Sequence, residues 1–128
     1  MAVGRTFIFV GADEALAAAQ AVWSARTPVD LCVAGPSQAA RDTAAFAVAG
    51  RPVNILLEPL LSAAPADERT AETAAREADA LLALYALDTR CALVVWDELN
   101  GRQPHPVVVD EQWLLATAER ISRALPVP

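Results

Sequence analysis

The sequence predicts an α/β fold, with a mostly parallel central sheet of four to five strands and helices on both faces. Three observations lead to this prediction. Short apolar runs alternate along the chain with segments of helical periodicity. The runs are continuously apolar, as expected for strands buried on both faces. The 128 residues suit one compact domain spanning 1–128, and no repeat or linker interrupts them.

Each element has a local signal. The first strand is the apolar run Phe7 to Val10, and Asp13 is a candidate cap for the helix after it. Pro36 suits the first turn of the second helix, and Gly50 suits the end of that helix. The predicted strands are residues 7–10, 29–34, 53–57, 92–96 and an edge strand at 107–109. The predicted helices are residues 13–26, 36–48, 67–87 and 111–125.

The first and third predicted helices have distinct patterns of apolar and charged residues. In the first, Leu16, Ala19, Gln20 and Trp23 recur at helical intervals. The third, and longest, has a charged amino-terminal half and a leucine-rich carboxyl-terminal end. The first pattern predicts a helix to about Arg26, and the second predicts a solvated amino-terminal half for the third helix.

Composition excludes several function classes. Ten basic residues against sixteen acidic ones give a net charge of −6, which repels nucleic acid and anionic lipid. All ten basic residues are Arg, so a P-loop lysine and Schiff-base chemistry are excluded. No run approaches the ~20 apolar residues of a membrane span, and the amino terminus lacks the pattern of a secretory signal. We expect a cytoplasmic, bacterial protein with no nucleic-acid or membrane partner.

Two cysteines and a single histidine are the candidate nucleophiles and metal ligands of the chain. Cys32 and Cys91 lie in apolar, strand-like runs, which favours inert core thiols; a redox pair is the alternative. No CxxC motif or metal-ligand spacing is present, so neither a metal nor a cofactor is expected. His105 stands between two prolines, which favours a loop residue over a nucleophile.

Four short strings, in order, resemble motifs of the histidine phosphatase superfamily, which has the phosphoglycerate-mutase-like fold. The family opens with a strand ending V-R-H-G-E, where this chain has V-G-A-D-E at 10–14. Its S-P-L-x-R-A-x-x-T-A string corresponds to 34–44, which keeps the Pro, one Ala and the T-A ending. Its acid motif corresponds to 58–63, and its late V-V-S-H-G strand end to 94–98. The resemblance spans residues 5–98 and implies a three-layer sandwich.

The resemblance also implies where the family's chemistry would stand. In the family, a histidine nucleophile takes the phosphoryl group, two arginines and a second histidine bind its oxygens, and an acid protonates the leaving group. The corresponding positions are Ala12 for the nucleophile, Gly11 and Ala39 for the arginines, Asp97 for the second histidine and Ala63 for the acid. None carries the family's residue, so we expect neither phosphatase nor mutase activity.

The same strand ends nevertheless predict a ligand site, because open α/β sheets bind ligands at their carboxyl edge. The predicted binding residues are Gly11, Ala12, Asp13, Gly35, Ser37, Ala39, Trp96 and Asp97. The candidate acid–base residues are Asp13, Glu14, Asp97 and Glu98, whose crowding would favour such chemistry. The alternative is that these carboxylates cap a helix or face solvent, and that Trp96 closes the core.

Three functions stay open at this point. The first is a pseudoenzyme, a non-catalytic binding or scaffold module. The second is a repurposed enzyme, an isomerase, cyclase or dehydratase of secondary metabolism acting on an uncharged or cationic small molecule. The third is a structural subunit. Relatives in the family continue for many residues after the second histidine, whereas this chain has about 30 after Asp97. A homodimer or a complex with a partner protein is therefore expected at this edge.

Overall fold

A computed structural model of the chain describes residues 4–62, 71–97 and 106–124, with residues 71–73 described in their backbone only. Within these ranges five strands and four helices form. The strands are β1 (Thr6–Gly11), β2 (Leu31–Ala34), β3 (Asn54–Leu57), β4 (Cys91–Trp96) and β5 (Val107–Asp110). The helices are α1 (Ala15–Ser24), α2 (Gln38–Ala47), α3 (Ala71–Tyr85) and α4 (Glu111–Ala124), and a 3₁₀ turn covers Pro59–Ser62. The predicted α/β class is confirmed.

The sheet is mixed, with the strand order β3-β2-β4-β1-β5. The first four strands in this order run parallel, and β5 pairs antiparallel with β1, with Thr6 opposite Asp110 and Phe9 opposite Val107. The prediction of a mostly parallel sheet is therefore wrong. The cause is connection length: residues 97–106 join β4 to β5, and a parallel crossover needs about a dozen residues or more.

The helices cover the two faces of the sheet in pairs. Helices α1 and α2 contact each other, as do α3 and α4. Successive strand residues alternate between the two cores, so Val10 and Val95 pack with α1 and α2, whereas Phe9 and Val94 pack with the other pair. Strands β1 and β4, buried on both faces, form the centre of the molecule.

Helix α1 packs through small residues. Its buried side chains are Ala18, Ala21 and Val22, whereas Leu16 is 67% exposed and Trp23 is 78% exposed. The Arg51 guanidinium lies over the Trp23 ring, 4.7 Å from its centre. The spacing predicted the helix correctly, but its larger apolar residues face outward. Alanine on the inner face lets the helix lie close to the sheet and to α2.

Arg5 links three elements at the amino end of β1. Its Nε lies 2.7 Å from Glu111 Oε2, at the start of α4. Its two terminal nitrogens donate to the carbonyls of Tyr85, at 2.7 Å, and of Leu87. Arginine stabilises a helix end in this way because the last carbonyls have no partner within the helix. The contact fixes the end of α3 against the start of the sheet.

Both cysteines are free and buried, and burial raises the pKa of the Cys32 thiol to about 12. A thiol with so high a pKa stays protonated at neutral pH and is a poor nucleophile. In the described part of the chain, no helix combines the length and the apolar composition needed to cross a bilayer.

Candidate functional site

Three strand ends meet at the carboxyl edge of the sheet. Gly11 ends β1 opposite Trp96 of β4, and Ala34 ends β2 opposite Val95. The chain leaves β2 towards the β3 edge and leaves β4 towards the β5 edge. Connections that diverge in this way open the crevice in which open α/β sheets bind ligands. The crevice between the ends of β2 and β4 is thus the expected place for the predicted site.

The side chain of Asp97 occupies this crevice. Its Oδ1 accepts a hydrogen bond of 3.0 Å from the backbone N–H of Ser37, and its own N–H donates to the Leu61 carbonyl at 3.0 Å. A Cβ atom on Gly35 would stand 2.9 Å from Asp97 Cγ and 3.1 Å from the Leu61 oxygen, the first of which is too short for a Cβ contact. A side chain at position 35 would therefore displace the Asp97 carboxylate, which occupies the space beside Gly35 between the two strand ends.

Ser37 serves the start of α2. It is the N-cap residue with extended backbone, and its Oγ accepts a hydrogen bond of 3.1 Å from the Ala40 N–H. A serine cap stabilises a helix by about 1 kcal/mol. Because the Ser37 N–H donates to Asp97, this residue joins the end of β4 to the start of α2.

The turn after β1 is closed by a second carboxylate. The N–H of Gly11 donates to Glu14 Oε1 at 2.8 Å, and the N–H of Glu14 donates to the Gly11 carbonyl at 3.0 Å. Glu14 is the N-cap residue of α1, so the prediction that Asp13 caps this helix is wrong. Because the Glu14 side chain accepts a hydrogen bond from the Gly11 N–H, the helix starts one residue later than predicted from an Asp13 cap. Asp13 is exposed.

Ala12 stands where the resemblance places a nucleophile. Its side chain is buried in the core beneath α1 and α2, and its carbonyl accepts a hydrogen bond of 2.5 Å from the Thr43 hydroxyl. Ala39, at one of the arginine positions, lies on the exposed side of α2. Neither residue presents a polar side-chain group to a ligand.

Trp96 lies on the other side of the sheet from Ala12. It is 1% exposed and packs in the core under α3 and α4, with its ring edge-on to Phe9 at a centroid distance of 5.6 Å. Its indole Nε1 is buried without a hydrogen-bond partner in the described structure. This placement agrees with the alternative in which Trp96 closes the core.

The structure thus brings together some of the predicted site residues and separates others. Gly35, Ser37 and Asp97 converge on one junction, and Gly11 contacts Glu14 in a second one. Asp13 and Ala39 are exposed, while Ala12 and Trp96 belong to different cores. Three residues, Ala63, Glu98 and His105, lie outside the described residues, so their roles stay predictions.

The chemistry open to the two engaged carboxylates is narrow. Asp97 and Glu14 each accept a hydrogen bond from a backbone N–H in a separate turn. A general acid or base has to reach a proton of the substrate, and one oxygen of each carboxylate is already engaged by the protein's own backbone. Among the described residues, no group of three or more His, Cys, Asp or Glu side chains is placed to hold a metal ion.

Two features at the amino edge of the sheet were missed by sequence reasoning. One is a cavity of about 330 Å³ that opens beside Thr6, Arg26 and Cys91. The other is a junction at Asp30, whose carboxylate accepts hydrogen bonds from the Thr89 hydroxyl and from the Arg90 N–H, the latter at 3.1 Å. The available signal in the sequence is a polar residue just before each of the strands β1, β2 and β4.

Partial burial raises the pKa of Asp30, but hydrogen bonds from the Thr89 side chain and from backbone N–H groups outweigh that effect and the net pKa is lowered. A lowered pKa means that the ionised carboxylate is favoured by folding. Asp30 therefore holds the amino ends of β2 and β4 together in its charged form.

Comparisons with protein-family models, with curated proteins and with solved structures find no match to this chain.

Proposed function

We propose that the protein is a non-catalytic binding or scaffold module built on a histidine-phosphatase-like fold, without phosphatase or mutase activity. The single observation that carries this proposal is the filled crevice. Asp97 occupies the space between the ends of β2 and β4 and accepts a hydrogen bond from the Ser37 N–H, beside a glycine at which a Cβ atom would displace the Asp97 carboxylate.

Two features support the family part of the proposal. The resemblance implies that the first and fourth strands are neighbours, and β1 pairs with β4 over Thr6–Gly11. It also implies that the emptied catalytic positions stand at strand ends, where Gly11 and Asp97 lie. We propose the three-layer sandwich of the family as part of the same resemblance.

Charge and shape both oppose phosphate in the crevice. The negative Asp97 side chain stands where the family binds phosphoryl oxygens with a cation. Two unit charges ~6 Å apart at an effective dielectric of about 20 repel each other by roughly 3 kcal/mol. Phosphoryl transfer depends on cationic stabilisation of the transferring oxygens, and the described crevice residues supply none.

A repurposed enzyme is supported less well. Such an enzyme needs a cavity in which polar groups converge on the substrate. The cavity of about 330 Å³ has no carboxylate among its described lining residues and lies at the amino edge of β1 and β4. The candidate acid–base residues Glu14 and Asp97 lie at the opposite edge and bond to backbone N–H groups.

Titration with orthovanadate, which mimics a transferring phosphoryl group, tests the proposal. The wild-type chain and the Asp97→Asn variant are both expected to show no saturable binding in the micromolar range, because Asn retains the volume of Asp. Saturable binding by the wild type would overturn the proposal. Binding by the variant alone would show that charge, and not filling, excludes the anion.

A further inference from the structure

A cavity of about 330 Å³ lies at the amino edge of the sheet, on the face that α1 covers. Its floor is formed by Thr6 and Ile8 of β1, Cys91 of β4 and Val108 of β5. These residues come from three neighbouring strands and share one face, because each register pair places alternate residues on the same side. The floor of the cavity is therefore one face of the sheet.

The position of α1 explains why this space is empty. The helix ends at Ser24, and its buried residues over β1 are small, with Ala21 forming part of the cavity wall. On the same face, in the described part of the chain, Val108 of β5 is 62% exposed. Val109, pointing to the other face, packs instead with Leu114 of α4. A short, alanine-rich helix beside an edge strand with an exposed valine leaves this space between the described residues.

The lining has an apolar part and a polar part. Ile8, Ala21 and Val108 supply apolar surface. Arg26 and Thr27, which follow each other in sequence, are two of the polar residues that line the cavity. A mostly apolar lining with a few polar groups is the usual make-up of a small-molecule site.

Arg26 gives the cavity its charge. It is the only charged residue among the described residues that line the cavity. No salt bridge engages its guanidinium in the described part of the chain, where the ion pair is formed by Arg5. On a protein of net charge −6, an exposed arginine that lines a cavity without a carboxylate is complementary to an anion. Guanidinium geometry matches a carboxylate in particular, through two parallel hydrogen bonds.

The Cys91 thiol contributes surface and not reactivity. Burial, with a smaller effect from the negative charge of Asp30, raises the pKa of this thiol. The neutral form is then favoured, and a neutral thiol is a weak nucleophile. The site is thus suited to reversible binding.

The geometry points to a binding site for a small carboxylic acid, whose apolar body lies on Ile8, Ala21 and Val108 and whose carboxylate is bound by Arg26. The volume is at the lower end of the ~300–1,000 Å³ range of ligand sites, which favours a ligand of roughly ten non-hydrogen atoms. This inference goes beyond the proposed function, because the cavity and the filled crevice lie at opposite edges of the sheet.

Phenylacetate is a suitable probe, with phenylacetamide and phenethylamine as its neutral and cationic counterparts. Titrations are followed by the backbone amide NMR signals of Thr6, Ile8 and Thr27. We expect saturable shifts with phenylacetate and about tenfold weaker binding of the amide, because a hydrogen bond to a charged group contributes more than a neutral one. Inorganic phosphate, which lacks an apolar body, should leave these signals in place.

Matched variants test the contributions of the Arg26 charge and of the apolar cavity surface to binding. Arg26→Gln should weaken phenylacetate binding about tenfold and leave the amide unchanged, whereas Arg120→Gln, the same change on α4, should alter neither. Val108→Phe should abolish binding of both by filling the cavity. A melting temperature close to that of the wild type establishes that this variant is folded.

The inference is overturned if phenylacetate leaves the three amide signals unshifted, or if Arg26→Gln binds it as tightly as the wild type. Equal binding of the cationic phenethylamine would overturn it as well. These outcomes are independent of the vanadate titration, which reports on the crevice at the carboxyl edge. Failure of either proposal is therefore recognised separately.

Discussion

At the scale of single residues, the contact between Gly35 and Asp97 decides what the carboxyl edge of the sheet can do. The carboxylate accepts a hydrogen bond from the Ser37 N–H and lies against the glycine, which has no Cβ to push it away. The two residues are 62 positions apart in the chain. Neither residue alone indicates this contact, and only the pair places protein atoms in the crevice.

Gly35→Ala should destabilise the fold by about 1–3 kcal/mol, the usual cost of inserting a methyl group into a packed site. The new Cβ would meet Asp97 Cγ at 2.9 Å and the Leu61 oxygen at 3.1 Å. Urea unfolding measures the loss. Gly4→Ala is the matched control, because no atom lies within 4 Å of a Cβ there.

A double variant sharpens this test. Replacing Asp97 by Ala removes the atom nearest to the new methyl group, so Gly35→Ala should be less destabilising in that background than in the wild type. Purely additive effects would contradict the close contact.

The roles of individual site residues were the part of the site least predictable from the sequence. The absence of the family's histidines and arginines at Gly11, Ala12 and Ala39 is read directly from the sequence. The role of Asp97 is not, because its partner Ser37 is 60 residues away. The capping role predicted for Asp13 failed because Glu14 reaches back to Gly11, and local propensity cannot rank two adjacent carboxylates.

At the scale of elements, the strands were predictable and the faces of the helices were not. Buried strands β1 and β4 are continuous apolar runs, and their ends in the structure lie within one residue of the predicted ones. The buried face of α1 was obscured because alanines pack inward while Leu16 and Trp23 are exposed. Which residues of α1 are buried depends on how closely the helix packs against α2 and the sheet. This packing is a tertiary property.

The Asp30 junction between β2 and β4 predicts a dependence of stability on pH. The pKa of Asp30 is lowered in the folded chain, so its contribution is complete above the unfolded value of about 3.9 and is lost as the pH falls through the folded pKa. Asp30→Asn should reduce the free energy of unfolding by about 1 kcal/mol at neutral pH, since the carboxylate is exposed and the effect of charge is small.

The difference between wild type and Asp30→Asn should shrink as the pH is lowered below about 4. Denaturant unfolding at a series of pH values measures it. Asp79→Asn, an exposed site on α3, is the control for a change of net charge alone. An Asp30→Asn curve parallel to that of the wild type down to the lowest pH would contradict the proposed role.

At the scale of the whole molecule, the distribution of apolar surface suggests where a second copy or a partner would bind. Every residue of β3 is exposed, including Ile55, Leu56 and Leu57. The strand has β2 as its neighbour in the described sheet and carries no charge or proline, the usual protections of an edge. The sequence pattern had placed self-association at the carboxyl-terminal side, where β5 forms the other edge.

Light scattering over a range of concentrations compares the two edges. Leu56→Lys should reduce the apparent mass if β3 mediates association, because a charge at an exposed edge opposes strand pairing. Val108→Lys places the same charge on β5 and should have little effect. A wild-type chain that stays monomeric at high concentration would contradict the expected association, and the reverse ranking of the variants would move it to β5.

The fold class was predictable from the sequence, whereas features that combine distant segments were not. Alternation of apolar runs and helices was sufficient for the α/β class. The mixed sheet depended on the position of β5 beside β1, and the cavity at the amino edge combines residues from β1, α1, β4 and β5. Contacts between segments so far apart in the chain carry no local signal.

The central claim is that the carboxyl-edge crevice is filled and performs no phosphoryl chemistry. The most direct measurement is the release of p-nitrophenolate from p-nitrophenyl phosphate by purified wild-type chain, beside the Asp97→Asn variant and buffer alone. We predict rates equal to buffer for both proteins. Hydrolysis that follows the wild-type chain through successive purification steps, and that Asp97→Asn alters, would contradict the account.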